Sequence, residues 1–219
     1  MKYVVKRVEK AFEAECNWDS KFWQNAQALE LKNYMGQKPE HFPKVQTKVL
    51  YDDEFIYVIF NVNDKFVRAT TETYNSSVCG DSCAEFFFTT GPDSSVNYFN
   101  IEINCIGTIL MHYQTEKNKN RVFVDPSDAE RIKKATSLRG PITEEIAEPV
   151  DWILEYAVPI DMLAKYTQVE KPATGVIWRG NFYKCADQTS HPHWLTWSPV
   201  ELPAPDFHQP KFFGTLEFE

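Results

Sequence analysis

From Tyr98 to Asn104 the apolar residues Phe99, Ile101 and Ile103 alternate with Asn100, Glu102 and Asn104. A period of two is the signature of a β-strand with one face against a core, because successive side chains point to opposite sides of the pleat. The other face reads as a polar ladder. The pattern recurs in Phe55 to Asn63, where Ile56, Val58, Phe60 and Val62 share a face. Val45 to Leu50 precedes it across the acidic turn Asp52-Asp53-Glu54, which predicts a hairpin.

Further β runs are expected at Phe66 to Thr71, Ala84 to Thr90, Ile106 to Tyr113, Trp152 to Val158, Gly175 to Lys184 and Phe213 to Phe218, with a loop at Glu72 to Ser82. Aromatic residues, at 15%, suit pleated surfaces and flat ligand contacts alike. No solenoid repeat or low-complexity linker divides the chain. It therefore reads as one all-β domain over residues 1–219: an antiparallel β-sandwich with short helices in its loops. The charged stretch at about 115–148 is expected to be an excursion from the sandwich, with a short helix at Ala129 to Ala135 behind a Ser127 cap. A second short helix is expected from Pro159 to Ala164.

Several function classes are disfavoured. A net charge of −8 without a Lys/Arg stripe argues against nucleic acid as a partner. There is no G-x-x-x-x-G-K-[ST], G-x-G-x-x-G or G-x-S-x-G pattern. The first ten residues carry Lys2, Lys6, Arg7 and Lys10 without an apolar run, so neither a signal peptide nor a membrane span is read there. The expectation is a cytoplasmic protein, or a secreted one if a leader has been removed, with no membrane partner. Cys16, Cys79, Cys83, Cys105 and Cys185 are an odd set that favours reduced thiols. Cys79 and Cys83 have no second closely spaced Cys or His pair to complete a zinc spacing.

Sugar-binding surfaces combine flat rings, which stack on the C–H face of a pyranose, with polar groups that meet hydroxyls. On strand parity, Asn100, Glu102 and Asn104 project together, as do Arg179, Asn181 and Tyr183. Solvated strand faces look the same in sequence. Glu85 beside Phe86-Phe87-Phe88 needs solvent or a donor, and Arg68 is the expected partner, in a register-fixing pair or in a site. The segment His191 to Pro199 and then Pro203 to His208 offers Trp194, Trp197 and Phe207 as platform or packing, and His191, His193 and His208 as weak metal candidates.

Four phrases carry a resemblance: Leu50 to Val58, Asp81 to Phe87, Tyr98 to Asn104 and Pro210 to Leu216. In order and spacing, over roughly residues 45 to 219, they resemble the family 9 carbohydrate-binding modules and the related DOMON-like domains. The resemblance implies an immunoglobulin-like sandwich with an extra N-terminal strand and noncatalytic binding of a sugar or oligosaccharide. Glu85 matches the family's ligand-binding carboxylate, Glu102 and Asn104 fall on the strand with further polar contacts, and Phe207 falls where the family has a stacking Trp. Arg68 and Arg179 complete the expected set. The chain departs from the family at Val78, Cys79 and Gly80, where a second stacking Trp lies, and at Glu102, where the family carries Arg. Structural calcium is implied for the family, with Asp52, Asp53 and Glu54 the first hard oxygen ligands to inspect. The competing readings are a glycoside hydrolase acting through paired carboxylates and a haem-binding DOMON-type carrier with Met or His axial ligands.

Overall fold

The computed structural model describes residues 1–95, 97–115 and 120–219. Along the chain run β1 (Lys2–Arg7), β2 (Leu29–Glu30), β3 (Asn33–Tyr34), β4 (Lys44–Tyr51), β5 (Phe55–Asp64), β6 (Val67–Ala69), β7 (Cys83–Phe88), β8 (Tyr98–Asn104) and β9 (Ile109–Gln114). Then follow β10 (Val122–Phe123), α1 (Pro126–Ala129), β11 (Lys133–Thr136), β12 (Ile142–Ile146), β13 (Val150–Pro159), α2 (Ile160–Leu163), β14 (Ile177–Cys185), β15 (Trp194–Thr196) and β16 (Gly214–Phe218). Among the described residues no helix is long and apolar enough to cross a membrane.

The main strands form two sheets that share β1, β10-β9-β8-β7-β14-β16-β1 on one side and β1-β4-β5-β13-β11 on the other, and β6 and β12 form a separate pair. The first half of β1 pairs with β16 and its end pairs with β4, both in parallel, while the other neighbours along both sheets run antiparallel. The extra N-terminal strand thus closes one side of an immunoglobulin-like sandwich, covering two edges that would otherwise expose unpaired backbone groups. Alternation sends Phe86, Phe88, Phe182 and Trp178 inward, and their rings stack, Phe86 on Phe182 at 4.5 Å and Phe88 on Trp178 at 5.8 Å. They meet the other sheet at Phe60, 6.1 Å from Phe182.

The hairpin expected at Asp52 is present between β4 and β5. Asp52 closes it, accepting from the Glu54 and Phe55 amides at 2.8 and 2.7 Å and from the Tyr57 hydroxyl at 2.6 Å. Asp53 is engaged by the Arg7 guanidinium. Two of the three carboxylates named as first places to look for calcium, Asp52 and Asp53, thus make hydrogen bonds within the protein.

The charged stretch is less of an excursion than expected, although residues 116–119 lie outside the described residues. Its helix is α1 at Pro126–Ala129, not Ala129 to Ala135, and its cap is Asp125, which accepts from the Ser127 amide at 2.9 Å. The chain leaves the helix early because Ala129 and Ile132 dock into the core and Lys133–Thr136 then pairs with β13. β12 in turn pairs with β6. The expected second short helix is α2.

Between the sheets lies a buried ionic group. Lys184, on the inner face of β14, reaches Asp64 at the end of β5 at 3.2 Å, and both side chains are fully buried. The Lys184 ammonium also donates to His193 Nε2 at 2.8 Å, and His41 Nε2 contacts the other Asp64 oxygen at 2.7 Å. Burial opposes ionisation of Asp64, but the Lys184 charge and the His41 bond outweigh it and hold the carboxyl well below the usual range. Burial, then the Lys184 charge, pulls His193 down from 6.5 to about 3. Both shifts favour the deprotonated forms in the folded state, so their contribution is complete above pH 6.5 and is lost as acid protonates the unfolded chain first. Urea unfolding should therefore show stability falling on acidification below 6.5, and His193→Gln should flatten that fall. Asp64→Asn should cost about 3–5 kcal/mol at neutral pH by stranding the Lys184 charge, and an unchanged urea midpoint would refute this account.

Candidate functional site

The outer face of the first sheet is where polar side chains collect. Parity on β7 sends Ala84, Phe86 and Phe88 into the core and leaves Cys83, Glu85 and Phe87 outside. Register then places Glu85 directly opposite Glu102 on β8 and Tyr183 on β14, and Cys83 opposite Cys185. The polar ladder is not solvated: Asn100 is 0% and Glu102 7% exposed, because the chain from Val200 to Phe213 folds back over this face.

Beneath that cover a chain of hydrogen bonds runs across β8 and β9. Gln114 donates to Asn100 Oδ1 at 2.8 Å, and Asn100 Nδ2 donates to Glu102 Oε1 at 2.9 Å and to His112 Nδ1 at 3.2 Å. A neutral His112 satisfies this arrangement, and burial, then the Arg121 charge, lowers its pKa to about 4. The Cys185 thiol donates to Glu85 Oε1 at 3.0 Å.

Glu85, Glu102 and Phe207 come together in one cavity of about 320 Å³, with Trp194 and Asp187 on its wall. Burial, then the neighbouring Glu102 charge, raises Glu85 well above an ordinary carboxylate. Burial raises Glu102 to about 7, with the Asn100 bond acting in the opposite direction. Near neutral pH the pair therefore retains protons and can both donate and accept hydrogen bonds. Trp194 is half-buried, and its indole N–H donates to Asp187 Oδ1 at 2.7 Å, fixing the ring at the cavity edge.

Asn104, Arg179 and Arg68 lie outside this lining. Asn104 donates to Thr71 O and Asp81 Oδ2, both at 2.9 Å, and accepts from the Thr108 amide, so it ties loops together. The Arg179 guanidinium bonds Thr215 Oγ1 and Phe213 O, joining β14 to β16. Arg68 lies on β6, with its backbone amide bonded to Ser82 Oγ, and the bond Glu85 receives comes from Cys185 instead. Phe207 stacks on Tyr183 at 4.1 Å and is 9% exposed. Its place is in the packing that roofs the cavity. Asp187 and His112 gave no sequence signal, since one follows a strand in a turn and the other is a lone His in an apolar run. Trp194 was visible only as one ring among several.

Comparison with known proteins identifies the family and the fold. The family described as carbohydrate-binding family 9 matches residues 20–218. A crystal structure of a candidate carbohydrate-binding protein from Bacteroides uniformis is similar over 100% of this chain and 99% of that one, at 29% identity and a TM-score of 0.88. A family 9 module from Caldicellulosiruptor kristjanssonii in complex with cellotriose is similar at 15% identity and a TM-score of 0.65, over 100% of this chain and 94% of that one. Its complex with glucose gives 15% and 0.63, over 100% and 96%. These last two show the shared fold. No curated protein matches the chain.

Two outcomes follow for the unliganded protein. Phe207→Ala should lower the melting temperature, since removing a buried Phe typically costs about 3–5 kcal/mol; a fully stable variant would return Phe207 to the role of exposed platform. Glu102 titrates at about 7 in the fold against 4.5 ordinarily, so its contribution is complete below 4.5 and is lost as pH rises through 7. Glu102→Gln should therefore gain stability over the parent progressively between those limits, and a gain independent of pH would contradict the assignment.

Proposed function

We propose, from the premise that this chain belongs to carbohydrate-binding family 9, that the cavity over Glu85 and Glu102 holds a sugar or the end of an oligosaccharide without cleaving it. The observation that carries this is the joining, in one recess, of a fixed Trp194 ring and the Glu85–Glu102 pair. The ring offers an apolar face to pyranose C–H groups, and the carboxyls meet the hydroxyls. A volume of about 320 Å³ is at the small end for ligand pockets, which suits one or two sugar rings. The glucose and cellotriose held by the similar Caldicellulosiruptor module make β-glucosides the first ligands to test.

The carboxylate pair also bears on the hydrolase reading. Glycosidases place an acid and a nucleophile or base on different sides of the scissile bond. Glu85 and Glu102 are neighbours on adjacent strands of one floor, so they approach a ligand from the same side. That arrangement supports binding over cleavage.

Glycan-array screening followed by calorimetry on the best hit should give binding without turnover of the matching chromogenic glycoside. Trp194→Ala should weaken binding by about 1 kcal/mol or more while the fold persists. Glu85→Gln should weaken it by about 1 kcal/mol, because an amide NH2 that only donates replaces a carboxyl oxygen that can also accept. Hydrolysis that disappears in Glu85→Gln would establish the enzyme instead, and unchanged affinity in both variants would place the sugar elsewhere.

A further inference from the structure

Sheet register brings together three groups that the sequence keeps far apart. Cys83 on β7 is directly opposite Cys185 on β14, and Glu85 lies two residues further along the same outer face. One sulfur from each cysteine and a carboxylate oxygen of Glu85 all lie within 4.8 Å of one another. The three side chains are 0%, 1% and 2% exposed for Cys83, Cys185 and Glu85. Both Glu85 and Cys185 face the cavity.

Two sulfurs and one oxygen form a donor set for a borderline-soft divalent ion. Calcium and magnesium take oxygen ligands, whereas zinc accepts Cys and Glu together. A tetrahedral zinc ion with bonds of about 2.0–2.3 Å needs its donors roughly 3.3–3.8 Å apart. Cys185 Sγ and Glu85 Oε1 are already at 3.0 Å and the remaining separations lie within 4.8 Å, so side-chain rotation has to close a gap of about 1 Å at most to reach that spacing. The sheet backbone holds all three and leaves a fourth direction towards the cavity, whose wall carries Cys79 and Asp187.

We propose that Cys83, Glu85 and Cys185 form a zinc site in the floor of this cavity, with the fourth coordination position open to whatever the cavity holds. On binding, two S–H bonds give way to two Zn–S bonds and the carboxylate adds a Zn–O bond. The thiol protons, and the carboxyl proton where present, pass to solvent, and no oxidation state changes. The site stands on the two thiols and their register, so it does not depend on the sugar reading.

The test uses the full chain, stripped with a chelator and kept under a phosphine reductant. Cobalt(II) should produce a near-ultraviolet thiolate-to-metal charge-transfer band that saturates at one ion per chain and is erased by added zinc. Competition with a chromophoric chelator should show Cys83→Ser and Cys185→Ser each weakening zinc by roughly tenfold or more. Cys16→Ser, on the outer side of the other sheet where its thiol bonds Ile153 O, should leave affinity unchanged. Calorimetry of the parent protein in two buffers of different ionisation enthalpy gives a readout that needs no variant: zinc should release about two protons or more. No cobalt–thiolate band, a band that survives intact in Cys185→Ser, or zinc uptake without proton release would each overturn the site. Sugar affinity measured on the zinc-free protein keeps a failure of the binding reading separate from a failure of this one.

Discussion

The cross-strand register of β7 between β8 and β14 is the constraint on which the rest depends. It is held from inside by stacked rings, Phe86 on Phe182 and Phe88 on Trp178, and Gly180 makes room for them, since a Cβ there would meet the Phe86 ring at 3.0 Å. Side-chain direction in a strand has period two, so a slip by one residue would drive Glu85 into the core and turn Phe86 outwards. The aromatic ladder on one face therefore decides the chemistry of the other. It is what sets Glu85 against Glu102 and Cys83 against Cys185.

That outer face is expensive to keep. Two neighbouring carboxyls under a roof of apolar loop lose hydration, and their raised pKa values report the strain. The hydrogen-bonded run through Gln114, Asn100 and His112 compensates in part by orienting Glu102 and satisfying the buried amides. Local departures from the rule that charges stay outside concentrate where a protein uses them. The Lys184–Asp64 pair between the sheets is the counter-example, since neither residue lines the cavity and its ions neutralise each other. A pair of this kind specifies which strand ends meet more than it adds net stability.

Both outer faces of the sandwich are covered by chain outside the main strands. On the second sheet the N-terminal segment is pinned by Glu155, which accepts from the Glu15 and Cys16 amides and the Trp23 indole at 2.9, 2.7 and 2.9 Å. On the first sheet the chain from Val200 to Phe213 does the same work, packing Phe207 on Tyr183. The difference is that the roof on the first sheet is incomplete. Where it stops, beside Trp194, the cavity opens.

Period-two runs and their turns were enough to derive the long central strands, the β4–β5 hairpin and the all-β class, because alternation is a local property of the chain; the short strands β2, β3, β10, β11, β12 and β15 carry too few residues or too little alternation to show it. The ordered phrases were enough for the family, and they singled out Glu85, which lines the cavity. What local pattern could not supply was which polar face is wet. Asn100 and Glu102 read either as a solvated face or as ligand contacts, and they are buried, since the loop that covers them arrives from about a hundred residues later in the chain. For the same reason Phe207 read as a platform and is packing, and Asn104, Arg68 and Arg179 read as ligand contacts and stand outside the cavity lining. Cys185 lay outside any metal spacing until β14 was laid beside β7. Strand identity is set by neighbours in sequence, but burial and juxtaposition are set by neighbours in space, and only the tertiary structure decided those.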